Sequence, residues 1–573
     1  MVDLAKITEP LSLDRFVPRP GGPLVLEVDL TEGVVDEGPQ NPVNQILNRR
    51  KQRYLDVLEG VRRGARDPKV AALLVRVDAR TLGFAQVQEL RDSIIDFRST
   101  GKPAVAWADA FGENGDGNLP YYLACAFSQI VMSPSGVLGL TGLMSRQTFF
   151  KGTADKLDIQ FDVGKRHEYK NALNSYTESG YTDAHREAVE SVVDSLSDQL
   201  VTGVSEARGL SREKVREHIA EAPILAREAL DEGLIDRLAY RDEIYADLLG
   251  KVREQHGSEP SLQFVTRYHR KNTPPPRPRV GGGSGYLALI SAQGGINVGR
   301  SRRSPLGGGN VMGSDTVCAA FRAARQDPQV KGVVFRVNSP GGSAVASDLI
   351  RRESELTREA GKPVITTMGD VAGSGGYYVA LGSDAIVAQP ATITGSIGVI
   401  TGKPVYGQLL ERFGISTDSV TRGEHAGMFD GFEPFSDSEW ERVNALLDDI
   451  YQDFVAKVAR SRGRTWEEIH EVAKGRIWTG ADARERGLVD ELGGLETAIR
   501  LARDRVGDGP LPVRAFPRPN PLDQLRPDES SEDLSSAGPE NSLAPWGSPM
   551  GVAAHLGLPT AGPLIMPGVW NIR

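Results

Sequence analysis

The chain contains an internal repeat, and this feature limits its possible folds more than any other. Residues 66–78 read RDPKVAALLVRVD, and residues 326–338 read QDPQVKGVVFRVN, 260 positions further along. The tripeptide Gly-Lys-Pro at 101–103 returns at 361–363 with the same spacing. Two long copies of one pattern predict two related domains, each large enough to bury its own core.

Short β-branched segments alternate in each copy with longer segments that have helical apolar spacing. In the second copy, 333–337, 364–367 and 385–388 are of the first kind, and 440–458 repeats apolar residues every three or four positions. Such alternation is typical of helices packed on a largely parallel sheet. We therefore expect an α/β fold with two tandem domains.

The repeats and the composition between them predict the domain boundaries. We expect an N-terminal extension over 1–22, a first repeat over 23–256 and a second repeat over 284–506. Residues 257–283 are rich in Pro and Gly, as an extended connector would be. Residues 507–573 form a Pro-, Ser- and Gly-rich tail, most of which we expect to be poorly ordered.

Charge and hydropathy exclude some classes of partner. The formal net charge of −9 argues against nucleic acid as the main partner. The sequence has no basic, apolar signal segment at its start and no 18 consecutive apolar residues. We therefore expect a cytoplasmic or membrane-associated protein, any membrane contact being peripheral. No motif indicates a metal site or a cofactor.

Two glycine-rich loops of the second copy are candidate catalytic elements. Residues 338–343 read NSPGGS and follow a buried strand, so that adjacent glycines could turn their N–H groups toward a bound oxyanion. Residues 370–377 read DVAGSGGY and put Ser374 at a helix start, where free N–H groups stabilise negative charge. A plain turn and a helix N-cap are the structural alternatives. Because both loops leave the same sheet edge, we favour an active site.

A nucleophilic serine needs a base, and the repeat indicates one. Lys170 aligns with Ala426, and Ser374 aligns with Asn118, so that one copy has the lysine and the other the serine. This complementarity predicts a Ser-Lys dyad, with Lys165 as the second candidate for the base. An amine with an ordinary pKa of about 10.4 must be buried to act as a base at neutral pH.

Other roles for these groups stay open. A lone lysine is most often a surface charge, so the pairing with Ser374 needs support from geometry. His425 and His470 are also in the second copy, and a histidine base is an alternative. The segment around Ser374 comes near a G-x-S-x-G elbow but has Ala372 at its first position.

At these residues the sequence resembles the signal peptide peptidase A (protease IV) family in its long tandem-repeat form. The resemblance covers roughly 23–506, and its most specific elements are NSPGG at 338–342, SGGY at 374–377, TGSIG at 394–398 and Tyr169-Lys170. It implies a Clp-protease/crotonase-like fold for both repeats. It also implies a serine endopeptidase that acts on cleaved signal peptides and other small apolar peptides, and that assembles as a homotetramer.

The resemblance also implies roles for individual residues. Ser374 would be the nucleophile, Lys170 the base, and the Ser396 hydroxyl would position the amine. The backbone N–H groups of Gly342 and Gly375 would form the oxyanion hole. The sequence departs from the family in having Asn rather than Ser after Tyr169-Lys170, and in showing no N-terminal membrane anchor.

Two other functions are compatible with such a scaffold. A crotonase-like acyl-CoA enzyme would need glutamates near the oxyanion glycines, where the sequence offers Ser343 and Asp348. A non-catalytic scaffold of the same fold would leave Ser374 no more reactive than any other serine.

Overall fold

The computed structural model describes most of the chain in ten stretches. These are residues 22–35, 52–78, 81–113, 115–272, 285–303, 310–507, 509, 511–516, 540–541 and 563–566. Residues 1–21 of the predicted extension, residues 273–283 of the predicted connector and most of the tail lie outside the described residues.

The described residues form two compact units. One contains 22–143 and 198–272, and the other contains 144–197 and the described residues from 285 to 566. The second unit thus includes a segment that the repeat pattern assigns to the first copy. The predicted domain boundaries stay a prediction.

A fully parallel sheet forms the centre of the first unit. Its six strands, in spatial order, are Arg237–Leu238, Gln129–Met132, Ala104–Ala108, Val70–Arg76, Leu24–Asp29 and Ser261–Phe264. Two small pairs join Val34–Val35 to Gln52–Arg53 and Val137–Leu138 to Ile224–Leu225. The helices of this unit are Tyr54–Arg66, Phe84–Ser99, Asn118–Ala124, Arg212–Glu221, Ala226–Asp231, Arg241–His256 and Val265–Asn272.

The second unit is built on a larger sheet. Its main path runs Ile477–Thr479, Ile393–Gly395, Val364–Gly373, Val330–Ser339, Tyr286–Gln293 and Val513–Ala515. Ala385–Ala388 also pairs with Val364–Gly373, and then with Glu491–Leu492. All these pairings are parallel except that of Ile477–Thr479. The predicted α/β class is confirmed by the parallel sheets of both units.

A second sheet and a two-stranded ribbon complete the strands of this unit. The sheet runs Glu540–Asn541, Arg302–Arg303, Asn310–Gly313, Gly295–Asn297, Gly341–Gly342 and Leu564–Ile565. The ribbon pairs Gln160–Lys165 with Ile400–Val405 in antiparallel register. The second unit therefore contains both glycine-rich loops and the segment with Lys170.

The helices of the second unit cover the sheet and connect its strands. They are Lys151–Lys156, Asn174–Thr177, Ser314–Gln326, Ala344–Glu359, Gly375–Tyr378, the 3₁₀ turn Val379–Gly382, Gly407–Arg412, Asp437–Arg462, Trp466–Val472, Gly480–Glu485 and Leu495–Val506. The long helix Asp183–Arg208 contains residues of both units. No helix that the structure describes has the length and apolar composition that crossing a membrane requires.

Buried strands fix the edge on which the candidate site lies. Val330–Ser339 and Val364–Gly373 are buried along nearly their whole length, as expected for central strands covered on both faces. Each ends inside one of the two glycine-rich segments, at Ser339 of 338–343 and at Gly373 of 370–377, and the two strands are paired. Both loops therefore leave the carboxyl ends of neighbouring parallel strands, where open α/β sheets bind ligands.

Candidate active site

Ser374 lies at the junction between a central strand and a short helix. It follows Val364–Gly373 and precedes Gly375–Tyr378, with a φ of 55° that is uncommon for a residue with a side chain. Its N–H donates to the carbonyl of Gly395 over 2.8 Å. Its side chain does not cap the helix, so the hydroxyl is free for another partner.

The partner of this hydroxyl is Lys170, in the same unit. The Nζ of Lys170 lies 2.8 Å from Oγ of Ser374, 3.0 Å from Oγ of Ser396 and 2.9 Å from the Ser396 carbonyl oxygen. All three side chains are completely buried. The three residues that the sequence analysis proposed for proton transfer are thus brought together within hydrogen-bonding distance.

Burial sets the charge of the Lys170 amine. Burial lowers the pKa of Lys170 well below the ordinary value of a lysine, and no charged group of the described residues opposes that effect. Its hydrogen-bonding neighbours are hydroxyl and carbonyl oxygens, which carry no formal charge. Burial therefore favours the neutral form of this amine.

Glycines make room for the lysine side chain. A Cβ atom placed on Gly475 would lie 2.7 Å from the backbone nitrogen of Lys170, and one on Gly398 would lie 3.3 Å from its Cδ. Ser396 itself has a φ of 50°, and its N–H donates to the Arg476 carbonyl over 2.7 Å. The segment TGSIG thus holds Ser396 in an unusual backbone conformation beside the amine.

The two predicted oxyanion glycines also lie together. A Cβ atom placed on Gly375 would be 3.1 Å from the backbone nitrogen of Gly342. The loop that contains Gly342 is held by Ser339, whose hydroxyl donates to the Gly294 carbonyl over 2.7 Å and accepts from the Gly341 N–H over 3.1 Å. The role of Ser339 was not predicted from the sequence, although the residue lies in the NSPGG motif.

The alternative bases have other partners. The Lys165 amine donates to the side-chain oxygen of Asn174 over 3.4 Å, although burial lowers its pKa too. His425 pairs with the hydroxyl of Ser438 at 3.2 Å, and His470 pairs with the hydroxyl of Tyr451 at 2.9 Å. None of these contacts brings Lys165, His425 or His470 to Ser374.

Asn118 occupies the equivalent position in the first unit. Its side chain donates to the Gly142 carbonyl over 2.8 Å and accepts from the Gly142 N–H over 3.1 Å. These two bonds satisfy a buried amide, and an amide is not a nucleophile. The first copy therefore uses this position for structure.

The acidic residue near the oxyanion loop is engaged in ion pairs. Asp348 lies 2.9 Å from Lys457 and 2.9 Å from Arg351, and both cations help to lower its pKa. Ser343 caps the helix Ala344–Glu359 by accepting from the N–H of Ala346 over 3.2 Å. These two residues therefore do not provide the free carboxylate that a crotonase-like reaction would need.

A cluster beside Lys170 was not found by sequence reasoning. Arg476 forms an ion pair with Glu187 at 2.7 Å, and the hydroxyl of Tyr169 donates to the other carboxylate oxygen of Glu187. The Arg476 guanidinium also lies over the Tyr169 ring, 4.9 Å from its centroid. Through Glu187, the cluster thus links Tyr169, the residue before Lys170, to Arg476, whose carbonyl accepts from the N–H of Ser396.

The comparisons with known proteins agree with the repeat. Residues 96–253 and 357–507 each match peptidase family S49. The tandem arrangement is therefore confirmed, with one match in each copy. Among solved structures, a ClpP1 mutant from Listeria monocytogenes matches 39% of this chain and 94% of its own, with a TM-score of 0.24 and 15% identity.

Curated relatives match most of the chain. The chloroplastic serine protease SPPA of Arabidopsis thaliana is 33% identical over 77% of this chain, which spans 64% of that relative's length. Protease 4 of Salmonella typhi is 31% identical over 78% of this chain and 71% of its own length. Protease 4 of Haemophilus influenzae is 28% identical over 80% of this chain and 74% of its own. These matches confirm the predicted family and the class of serine peptidases: the chain belongs to peptidase family S49.

Proposed function

We propose that the chain is a serine endopeptidase that cleaves peptide bonds with Ser374 as nucleophile and Lys170 as base. The observation that carries this proposal is the completely buried amine of Lys170, 2.8 Å from Oγ of Ser374. A nucleophilic serine needs a neighbouring group that can take its proton, and a desolvated lysine can do so.

The hydrogen bonds of a neutral amine account for all three contacts. Such an amine has two N–H donors and one lone pair. The Ser396 carbonyl can only accept, and the Ser396 hydroxyl can accept as well, so both donors are used there. The lone pair then faces the hydroxyl of Ser374, which donates to it. Ser396 thus orients the amine for proton transfer.

The reaction follows from this arrangement. Oγ of Ser374 attacks the carbonyl carbon of the substrate while its proton passes to Lys170, and the N–H groups of Gly342 and Gly375 stabilise the oxyanion. The lysine then gives the proton to the departing amine, and an acyl-enzyme forms. Water, deprotonated by the same lysine, hydrolyses the acyl-enzyme and restores Ser374.

We further propose the substrates and the division of labour between the repeats. The substrates are cleaved signal peptides and other small apolar peptides, as the family resemblance implies. The first repeat, 23–256, supplies the lysine, and the second, 284–506, supplies the serine. The two separate family matches support this division.

The reactivity of Ser374 toward a fluorophosphonate probe is expected to depend on the protonation of Lys170. Only the neutral amine can take the serine proton, so the labelling rate should rise with pH and level off above an apparent pKa well below about 10.4. The rate is measured across pH by mass spectrometry of the labelled peptide.

Two variants make this measurement specific. Ser374→Ala should remove the label, and Lys170→Ala should slow labelling and flatten its pH profile. A label on another residue would contradict the assignment of the nucleophile. An unchanged profile in Lys170→Ala would transfer the role of base to another group.

We also propose that the chain assembles as a homotetramer, as the family resemblance implies, and that any contact with membranes is peripheral. Light scattering of the purified protein should then give four times the chain mass of 61.9 kDa. A stable monomer over the working range of concentration would overturn this proposal.

A further inference from the structure

The two-residue strand Leu564–Ile565 and its neighbours Pro563 and Met566 lie beside the candidate oxyanion loop. Leu564–Ile565 pairs antiparallel with Gly341–Gly342, with Ile565 opposite Gly341 and Leu564 opposite Gly342. The ladder continues where the N–H of Met566 donates to the Pro340 carbonyl over 2.8 Å. The strand thus lies on the NSPGG motif itself.

The other edge of this strand is also held. The carbonyl of Pro563 accepts from the N–H of Ile400 over 3.0 Å. Ile400 begins the ribbon strand Ile400–Val405 and is separated from the TGSIG segment at 394–398 by one residue. An extended segment that hydrogen-bonds through its backbone on both edges is how a groove takes up a peptide by strand addition.

The side chains of the strand alternate between two apolar surroundings. Leu564 is completely buried and Met566 is 2% exposed, and Leu564 belongs to the main core of the unit. Ile565 faces the other side and packs against the cluster of Leu173, Tyr176 and Ile400. Alternate pockets for successive side chains are what gives such a groove its specificity.

The backbone of the strand is close to the catalytic groups. A Cβ atom placed on Gly341 would lie 2.1 Å from the Leu564 carbonyl oxygen and 2.8 Å from the nitrogen of Gly375. Hydrogen-bonded pairs alternate along an antiparallel ladder, so the pair after Met566 and Pro340 is Leu564 and Gly342. The Leu564 carbonyl therefore lies beside the two N–H groups proposed for the oxyanion hole.

Met566 lies on the serine side of the groove. A Cβ atom placed on Gly373, the residue before Ser374, would be 2.3 Å from Sδ of Met566. Any peptide that placed a carbonyl between Gly342 and Gly375 would have to displace this side chain or the strand. The strand and a substrate therefore exclude each other.

We propose that Pro563–Met566 is a substrate-like strand that occupies the peptide groove of its own chain and inhibits the peptidase until it is displaced. The inference rests on the proposed function. It also specifies the preferred peptide: an extended segment with a large aliphatic side chain at the position of Leu564 and another apolar one two residues later. Because the strand is tethered, it competes at an effective concentration of order millimolar.

The occupation of the groove is tested by binding, without turnover. The probe is a fluorescent peptide with the sequence of residues 560–570, added to full-length chains that carry Ser374→Ala. Chains that also carry Leu564→Asp and Met566→Asp lose the apolar anchors of the strand. They should bind the peptide at least about tenfold more tightly than Ser374→Ala alone, by fluorescence anisotropy.

Matched controls accompany this measurement. Val420→Asp puts the same charge on a side chain that is 87% exposed, and it should leave peptide affinity unchanged. A peptide with Asp at both anchor positions should not bind. Thermal unfolding checks that each variant folds. The inference would be overturned if the peptide bound with equal affinity to Ser374→Ala alone and to the variant that also carries Leu564→Asp and Met566→Asp. It would also be overturned if the peptide bound to neither.

The inhibition is tested with Ser374 intact. Leu564→Asp with Met566→Asp should raise kcat/KM for a short apolar peptide about tenfold, mainly through KM, and the synthetic peptide should inhibit this variant competitively. The activity per mole of the chain with its strand intact should not change on dilution, because the strand belongs to the same chain. A strand donated by a second copy would be released on dilution, and the activity per mole would rise. If the chain bound the peptide but hydrolysed none, the proposed function would be refuted and this inference would stand. If the chain hydrolysed peptides but Leu564→Asp with Met566→Asp did not tighten binding, this inference would be refuted and the proposed function would stand.

Discussion

Lys170→Met is expected to lower kcat for peptide hydrolysis by about 10²–10⁴-fold while changing KM little. Methionine fills nearly the same volume in the buried site but cannot take a proton from Ser374. The backbone of the substrate groove should be undisturbed, because the groove binds an extended peptide through backbone N–H and C=O groups and not through the Lys170 amine. The measurement is steady-state hydrolysis of a short apolar peptide, with binding of the same peptide as a check on the groove.

Lys165→Met is the matched control for this change. Lys165 lies in the same segment and is also partly buried, but its amine donates to Asn174. Its replacement should leave kcat within about twofold, as a substitution outside the catalytic groups does. Loss of activity in Lys165→Met with retention in Lys170→Met would reverse the assignment of the base.

Gly342→Ala is expected to lower kcat by about 10²–10³-fold, as the loss of an oxyanion donor does. A Cβ atom at this position would lie 2.2 Å from the backbone oxygen of Ile296, which belongs to the neighbouring strand Gly295–Asn297. Because a backbone atom cannot give way cheaply, the loop must shift and carry its N–H away from the oxyanion. The change is measured as kcat, with fluorophosphonate labelling to show that Ser374 stays reactive.

Gly361→Ala provides the control for a glycine substitution. Gly342 and Gly361 flank opposite ends of the helix Ala344–Glu359. Gly361 also has a positive φ, of 81°, but a Cβ atom there would meet no heavy atom within 4 Å. This variant should lose about 1–2 kcal/mol of stability from backbone strain and keep its kcat. Equal losses of kcat in both variants would mean that Gly342 acts through folding rather than through the oxyanion hole.

The α/β class and the approximate position of the site follow from local patterns in the sequence. Two strands ending in glycine-rich loops are visible without a structure, and a parallel α/β sheet places both loops on one edge. The difference between the copies also singled out Lys170 and Ser374. The structure places their side chains 2.8 Å apart, and their catalytic roles stay predictions.

Other parts of the site could not be predicted, because they depend on contacts between distant residues. Glu187 and Arg476 are 289 positions apart, and each has the appearance of an ordinary surface charge in the sequence. Pro563–Met566 is too short to show a strand period and lies in the Pro-, Ser- and Gly-rich tail, whose composition predicts poor order. Its pairing with Gly341–Gly342 depends on groove geometry, which no local pattern encodes.

The buried amine of Lys170 makes folding of its unit a proton-releasing process. Between the lowered pKa of the folded chain and about 10.4, the unfolded chain holds one more proton at this residue. The contribution of this residue to the free energy of unfolding therefore increases as pH rises through that window. It reaches its full value once the amine of the unfolded chain is neutral too. Acidification through the same window removes this contribution, so it lowers the free energy of unfolding of the unit that contains the site.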